Sequence, residues 1–253
     1  MDKRSRLAAC QPWAAAGGAG TFRLVFAKEE HVWERFARTD AEYYILAMPA
    51  WTSRTPKGLE HFFASGRRDA KALLAEASPW ITQWNVAVEI GCGVGRLAIP
   101  MAPSFAQVRA VDVAPTMLAK LRDNCVREGV TNVRPYLADE AWDSPGTVDF
   151  VYSWLVFQHI EDAGEIQRYI DRIGACLRAG GVALLQFDTR RRGLAYAIKT
   201  ALPDVLLPRP WKRGIRRIRR TPAAIVRMVA RARLTIVAEL RHRTKRHTFV
   251  LRR

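Results

Sequence analysis

What the chain has little of narrows its class first. Its 253 residues hold no stretch near the roughly 18 uncharged apolar residues of a spanning helix, which excludes an integral helical membrane protein. Cysteine is sparse: Cys10, Cys92, Cys125 and Cys176 form no CxxC pair and no metal spacing, so a disulfide framework and a zinc ribbon are excluded. Three of the four fall in expected core elements, where a thiol is a small hydrophobe, and a reducing, cytoplasmic setting follows. The LAAC run ending at Cys10 matches a lipoprotein cleavage box. Only six residues precede it, too few for an apolar export segment, so export is not expected. Histidine is scarce too, and His31, His61, His242 and His247 lack ligand-like spacing, so no metal is expected. Charge is not limiting: 49% hydrophobic and 26% charged residues suffice for a real core and exclude global disorder. The length fits one elaborated α/β domain.

Acidic residues are nearly missing from one place. Residues 1–189 carry 21 Lys+Arg against 22 Asp+Glu, whereas residues 190–253 carry 20 Lys+Arg against Asp204 and Glu239. The net charge of +17 therefore belongs to the C-terminal quarter, a surface suited to phosphate, carboxylate or an anionic bilayer. That quarter has no stacking set, since Trp211 is the only aromatic between Tyr196 and Phe249.

Along the chain, residues 1–28 read as a flexible tail and 29–83 as helices. Trp33, Phe36 and Ala37 share one helical face. Thr39-Asp40 caps a second helix carrying Tyr43, Tyr44, Ile45 and Leu46, which Pro49 stops. Ser65 is expected to cap a third, with Ala70, Leu73, Leu74 and Ala77 inward. Then strands and helices alternate: strands at 86–90, 108–111, 133–137, 148–153 and 182–187, and helices at 95–103, from Pro115 to Gly129, and at 163–178. Such alternation means a parallel sheet covered on both faces. Residues 190–220 break the beat with eleven Lys/Arg, and read as a basic insertion over the sheet's ligand edge. A helix from Thr221-Pro222 and a hairpin of 234–240 with 247–251 close the chain.

The informative segment is VAVEIGCGVGR, Val86–Arg96, followed by VDVAP at 111–115. A strand runs into Gly91, Gly93 and Gly95, which let backbone turn sharply beside a ligand. Asp112 ends the next strand, where two carboxylate oxygens match the two hydroxyls of an adenosine ribose. Arg96 stands where a dinucleotide loop has its third glycine, and Glu89 lies buried in the strand before the loop. A buried acid wants a cationic partner, and it repels pyrophosphate, so nicotinamide dinucleotides fit poorly.

Over about residues 84–190 the chain resembles the class I S-adenosylmethionine-dependent methyltransferase family. EIGCGVGR is similar to its glycine motif and DVAPTML to its ribose-binding strand end. ADEAWD (138–143) is similar to its adenine-side acidic strand end, DFVYSWLVFQHI to its fourth strand, and LRAGGVALLQF to its turn into strand five. Ala179 replaces the usual proline, which costs turn rigidity but no chemistry. WERFARTDAEYYIL, FFASGR and the final hairpin resemble, more loosely, a bacterial biosynthetic subset. The resemblance implies a seven-stranded, mostly parallel sheet with helices on both faces, a C-terminal antiparallel hairpin and an N-terminal helical cap. Residues 84–253 would form the cofactor-binding domain. Gly91, Cys92, Gly93 and Gly95 would pass under the methionine part of S-adenosylmethionine, with Glu89 orienting loop and ammonium. Asp112 would hold the ribose, Val113 and Met117 would meet adenine, and Asp139 beside Glu140 would accept from its amino group. Ser153 and Trp154 would line the methyl-donating end. Asp139 is readable equally as a surface acid, Trp154 as core, and Tyr43 and Tyr44 as core rather than pocket. His159, near the active edge, is either a general base for the acceptor or a packing residue.

SWLVFQHI lacks the Asn/Asp-Pro-Pro-aromatic run used on base or glutamine amide nitrogens, which disfavours those acceptors. The leading reading is methyl transfer to an oxygen or nitrogen of a small, anionic molecule beneath a lid of N-terminal helices and residues 190–220. A second is action on RNA or a ribosomal component through the basic quarter. A third is a noncatalytic binding protein. In a membrane-proximal variant of the first, Ile215 and Ile218 amid Arg216, Arg217, Arg219 and Arg220 rest on an anionic bilayer.

Overall fold

A computed structural model describes residues 27–46, 55–207 and 214–253. The expected flexible tail lies outside them except for its last two residues, as do Pro49 and Trp211. Helix α1 (Ala27–Leu46) is two helical pieces joined at Asp40, whose backbone leaves the helical region (φ −165°, ψ 81°) and whose carboxylate accepts from the Tyr43 N–H. Thr39-Asp40 thus marks the break that the sequence indicates. The next helix differs from expectation. α2 (Pro56–Ala77) starts nine residues before Ser65, with Thr55 capping Gly58 N–H and Pro56 in the first turn. Ser65 sits mid-helix, its hydroxyl donating back to the Phe62 carbonyl.

The alternating part follows as β1 (Val86–Ile90), α3 (Ala98–Met101), β2 (Gln107–Asp112), α4 (Pro115–Glu128), β3 (Val133–Leu137), β4 (Val148–Ser153), α5 (Ala163–Cys176) and β5 (Leu177–Phe187). The helix expected at 95–103 is one turn, α3, continued by a 3₁₀ turn at Ala102–Ser104. β5 starts earlier than expected because Leu177 already pairs with Val148; Gly180, with φ 76°, then lies in an irregular stretch of the strand. After α6 (Leu194–Ala201) come α7 (Pro222–Arg231), β6 (Thr235–Leu240) and β7 (His247–Arg252).

Seven strands make one sheet in the order β3-β2-β1-β4-β5-β7-β6, with β7 antiparallel to both its neighbours and the other pairs parallel. Helices cover both faces. Leu73 of α2, Met101 of α3 and Leu121 of α4 join one core with Ala87, Val108 and Phe150. Ile166, Ile170 and Ile173 of α5 and Ile225 and Val229 of α7 join the other with Val88, Val151 and Leu185. The chain reverses direction of travel across the sheet between β1 and β4, and a crevice opens there at the carboxyl ends of the strands.

The basic segment does not lie as the bilayer variant requires. Ile215 is buried against Phe36 and Tyr44, and the half-buried Ile218 donates its backbone N–H to the Gln158 carbonyl (2.6 Å). Ile215 is thereby withdrawn from any membrane contact, and residues 214–220 are strapped onto α1 and the loop after β4.

Candidate active site

The crevice is built from the loop after β1. Gly91, Gly93 and Gly95 hold φ of 74°, 53° and 90°. At Gly93 a Cβ would stand 2.7 Å from Cδ1 of Ile45, so α1 lies directly on the loop. The Gly93 N–H donates to Oδ2 of Asp112 (2.8 Å) and the Ala114 N–H to Oδ1 (3.0 Å). Both oxygens are thereby fixed, and each keeps acceptor capacity. Burial pushes the Asp112 carboxyl up to about 6, against the lowering effect of those backbone donors.

Glu89 is buried and does not line the crevice. Burial pushes its carboxyl well above the usual range, while the Tyr152 hydroxyl, donating to Oε2 at 3.2 Å, and the Arg96 charge pull it back. It therefore braces the loop from beneath. Cys92, also buried, has its thiol pushed up by burial. Gly95 abuts Leu121 and Ile99, and Ser153 donates to the Ile90 carbonyl (3.1 Å). All three support the loop without lining the pocket.

Arg96 has a structural role that the sequence left undefined. Its buried guanidinium donates to Ser65 Oγ (3.1 Å) and Asp69 Oδ2 (2.8 Å), tying the loop to α2. A Cβ at Gly66 would stand 2.1 Å from the Arg96 carbonyl oxygen, so only glycine admits this approach.

One pocket of about 700 Å³, open solvent at its mouth included, runs along the crevice. Gly91, Gly93, Asp112, Val113 and Met117 line it on the side of the glycine loop and β2, and Trp33 and His159, in contact with each other, line it with Trp154; Ile160, Glu165 and Tyr169 complete the wall. Tyr44 stacks on Phe36 instead, and neither it nor Tyr43 lines the pocket. Asp139 also lies outside the lining. It is exposed, one residue after Ala138, whose N–H donates to the Asp112 carbonyl. The Glu140 carboxylate is spent on the Leu137 N–H (2.7 Å). Arg172, across from this loop, holds Asp143 (2.8 Å) and the Ala138 and Glu140 carbonyls, and lies over the Trp142 ring.

At the far end a relay of amides fixes His159. The Leu155 N–H donates to Gln186 Oε1, and Gln186 Nε2 donates to the Lys245 carbonyl and to Gln158 Oε1. Two backbone partners thus orient Gln186, Gln186 orients Gln158, and Gln158 Nε2 must donate to His159 Nε2 (3.1 Å). The neutral ring then carries its proton on Nδ1, which is buried and faces the Arg216 backbone, a contact that raises its pKa but falls short of full hydrogen-bond geometry. Burial, then the Arg217 charge, lower the ring's pKa to about 4, so it is neutral at pH 7. Trp33 of α1 packs edge-on against it at 5.7 Å. Arg217 makes no hydrogen bond or ion pair among the described residues, and burial lowers its pKa.

The β6–β7 hairpin brings together residues whose spacing showed no such sign. Glu239, His242 and His247 place ligating atoms within 4.8 Å of one another. His247 Nε2 meets Glu239 Oε2 at 2.9 Å and its Nδ1 meets Thr189 Oγ1 at 2.9 Å, contacts that tie β6 and β7 to the end of β5.

A glycine loop under a strand-end carboxylate, at the switch point of a β3-β2-β1-β4-β5-β7-β6 sheet, is the arrangement of a Rossmann-like methyltransferase fold. A family model described as a methyltransferase domain matches residues 62–239, and the chain belongs to that family. The chain is 28% identical over 127 residues to a ubiquinone biosynthesis O-methyltransferase of Methylococcus capsulatus, covering 48% of this chain and 50% of that one. It is 31% identical over 75 residues to a 23S rRNA (uracil(1939)-C(5))-methyltransferase of Shewanella amazonensis, covering 29% of this chain and 17% of that one. The chain thus spans half or less of these curated relatives. Among solved structures, a Pyrococcus horikoshii protein superposes with a TM-score of 0.61 at 18% identity, covering 83% of this chain and 98% of that one. A magnesium protoporphyrin IX methyltransferase of Synechocystis with bound SAH gives 0.58 at 17%, covering 84% and 97%. Among the described residues no helix is long and apolar enough to cross a membrane.

Proposed function

We propose that the chain methylates an oxygen or nitrogen of a small, largely apolar acceptor bearing an acidic group. The observation that carries this reading is one pocket, under α1, lined by the glycine loop and Asp112 and also by aromatic and aliphatic side chains, His159 and the buried Glu165. A compartment so lined and roofed suits a small molecule better than a polymer surface. The quinone-pathway names of several relatives point the same way. The rRNA relatives favour the alternative over only 75 residues of matched chain. In this reading residues 29–83 are a helical cap on a methyltransferase domain at 84–253.

The donor end fits S-adenosylmethionine on its own chemistry. Asp112, fixed by two N–H groups, keeps acceptor sites for ribose hydroxyls, and Val113 and Met117 offer apolar contact for adenine. Asp139 is the neighbouring carboxylate left free for the adenine amino group, since Glu140 is engaged. S-adenosylmethionine, when bound, supplies an electrophilic methyl group on a sulfonium. The chain's task is then to align an acceptor in line with it and exclude water. Trp33 and Ile45 close the pocket from above. His159 Nδ1–H donates to the acceptor's reacting oxygen, and Arg217 beside it favours the deprotonated acceptor. Acting as a general base instead would require His159 to release Gln158, because Nε2 already accepts from that amide.

The test is transfer of labelled methyl from S-adenosylmethionine into fractionated cell extract. Label in small organic acids or phenols supports the reading; label confined to RNA or protein overturns it.

A further inference from the structure

The basic insertion presents an apolar face to solvent. Among the described residues eight large hydrophobic side chains are exposed, and five of them fall between Leu194 and Leu206. Leu194 and Ile198 lie one turn apart on one face of α6, exposed by 79% and 52%, and Leu202, Val205 and Leu206 continue beyond its end at 39%, 83% and 67%. The helix is inverted relative to an ordinary surface helix. Its inward face carries Tyr196 and Thr200, the Tyr196 hydroxyl accepting from the Arg219 N–H (3.0 Å), while its aliphatic face points out.

Two cations of the same segment, Arg191 and Arg192, make no ion pair among the described residues, whereas Arg190 pairs with Asp188 and Arg216 with Glu161. Residues 190–220 hold eleven Lys/Arg against Asp204. Arg192 donates to the Arg219 carbonyl (3.0 Å) and Arg219 to the Arg191 carbonyl (2.6 Å). Backbone oxygens orient these guanidinium groups but leave their charge uncancelled. Arg191 and Arg192 are exposed. Aliphatic residues framed by cations match the two layers of an anionic bilayer, hydrocarbon below and phosphate above. A nucleic acid would call for exposed aromatic rings, whereas Tyr196 lies inward beneath Arg219 (4.5 Å).

We propose that α6 and residues 202–206 seat the protein on an anionic membrane surface, the aliphatic face entering the headgroup boundary and Arg191 and Arg192 engaging lipid phosphates. The segment is strapped to the acceptor end of the pocket, since Ile218 bonds to Gln158, the residue before His159. Resting on the methyltransferase reading, this places the acceptor end beside the lipid, a setting for lipid-soluble acceptors. Membrane binding itself does not depend on that reading.

The experiment is flotation of the full chain with phosphatidylcholine vesicles, with and without about one third phosphatidylglycerol, while S-adenosylmethionine binding is measured in parallel. The wild type is expected to float only with anionic vesicles, and less at high salt. Exchanging Leu194, Ile198, Val205 and Leu206 together for Ser should cut vesicle binding roughly tenfold or more, and Arg191→Gln with Arg192→Gln should remove most of the salt dependence. Cofactor affinity should be unchanged in both variants, which separates loss of this surface from misfolding. Equal flotation of wild type and the four-Ser variant would overturn the proposal. So would absence of wild-type flotation with tight, salt-steep binding to an RNA homopolymer, or a wild-type dimer that the four-Ser variant abolishes.

Discussion

Asp112 links the fold to the chemistry through a single carboxylate. Because it must be ionised to accept from two ribose hydroxyls, and burial holds its pKa at about 6, cofactor binding should strengthen as pH rises through that value. One pH unit below it, affinity should be about tenfold weaker, with proton release visible in calorimetry run in buffers of different ionisation enthalpy. Stability runs the other way. The folded pKa lies above the ordinary 3.8, so the ligand-free protein is stabilised by protonation and loses that contribution between about pH 4 and 6. Asp112→Ala should weaken S-adenosylmethionine binding by about 1.5–3 kcal/mol, as charged hydrogen bonds lost from a pocket do; unchanged affinity would displace the ribose from this site. For His159, Ala should lower turnover roughly a hundredfold with little change in cofactor affinity. A donor role leaves the acidic limb of the pH–rate profile to the acceptor's own ionisation, so the variant keeps that limb; a base role removes it. A few-fold loss of turnover with a lower melting temperature would make His159 a packing residue.

Legibility at this scale followed sequence distance. The glycine loop and Asp112 could be read because their chemistry is local: positive φ at a strand end, and a carboxylate closing the next strand. The Arg96–Ser65–Asp69 tie could not, because its partners lie 27 and 31 residues away on another element. The Gln158–Gln186 relay and the Arg172 knot around Asp143 have the same character. Buried polar side chains are satisfied across elements, and hydropathy patterns carry no record of which ones meet.

Among the elements, strands and caps with a sharp local cause were legible, and extents set by packing were not. β1 and β4 stand at the expected bounds because each is a short, mostly apolar run at the sheet's centre, and β3 does so at the edge, bounded by the turn after α4 and by Leu137. The start of α2 was misplaced because Ser65 resembles a cap in sequence, whereas the helix begins at Thr55-Pro56 and Ser65 serves Arg96. That use of α2 is testable. Gly66→Ala forces a Cβ against the Arg96 backbone, a neighbour that cannot swing away, and should lower stability by about 1–3 kcal/mol in denaturant unfolding. A neutral result would mean the loop and α2 are not in contact. Helix α1 is held over the pocket by Glu34, which accepts from both the N–H (3.0 Å) and the hydroxyl of Thr116 at the start of α4, and by Trp33 on His159. Trp33→Ala should therefore raise the acceptor's Michaelis constant by roughly tenfold while leaving cofactor affinity within a few-fold. A loss confined to the cofactor would assign α1 to the donor end alone.

For the whole molecule, a nearly neutral body carries a basic quarter that supplies the last two strands of one seven-stranded sheet and, at residues 218–220, lies against Gln158 and Asp188 past the ends of β4 and β5. The sheet order and hairpin were legible from strand–helix alternation together with the family resemblance. The outward apolar face of α6 was not, since residues 190–220 read as a basic insertion in which no helix was expected. The central claim is that one pocket holds S-adenosylmethionine at Asp112 and the acceptor at His159. The most direct measurement is a crystal structure with S-adenosylhomocysteine. The account predicts ribose hydroxyls within about 3 Å of the Asp112 carboxylate and the sulfur directed toward Trp154 and His159. A nucleoside bound elsewhere, or a sulfur pointing away from His159, would contradict it.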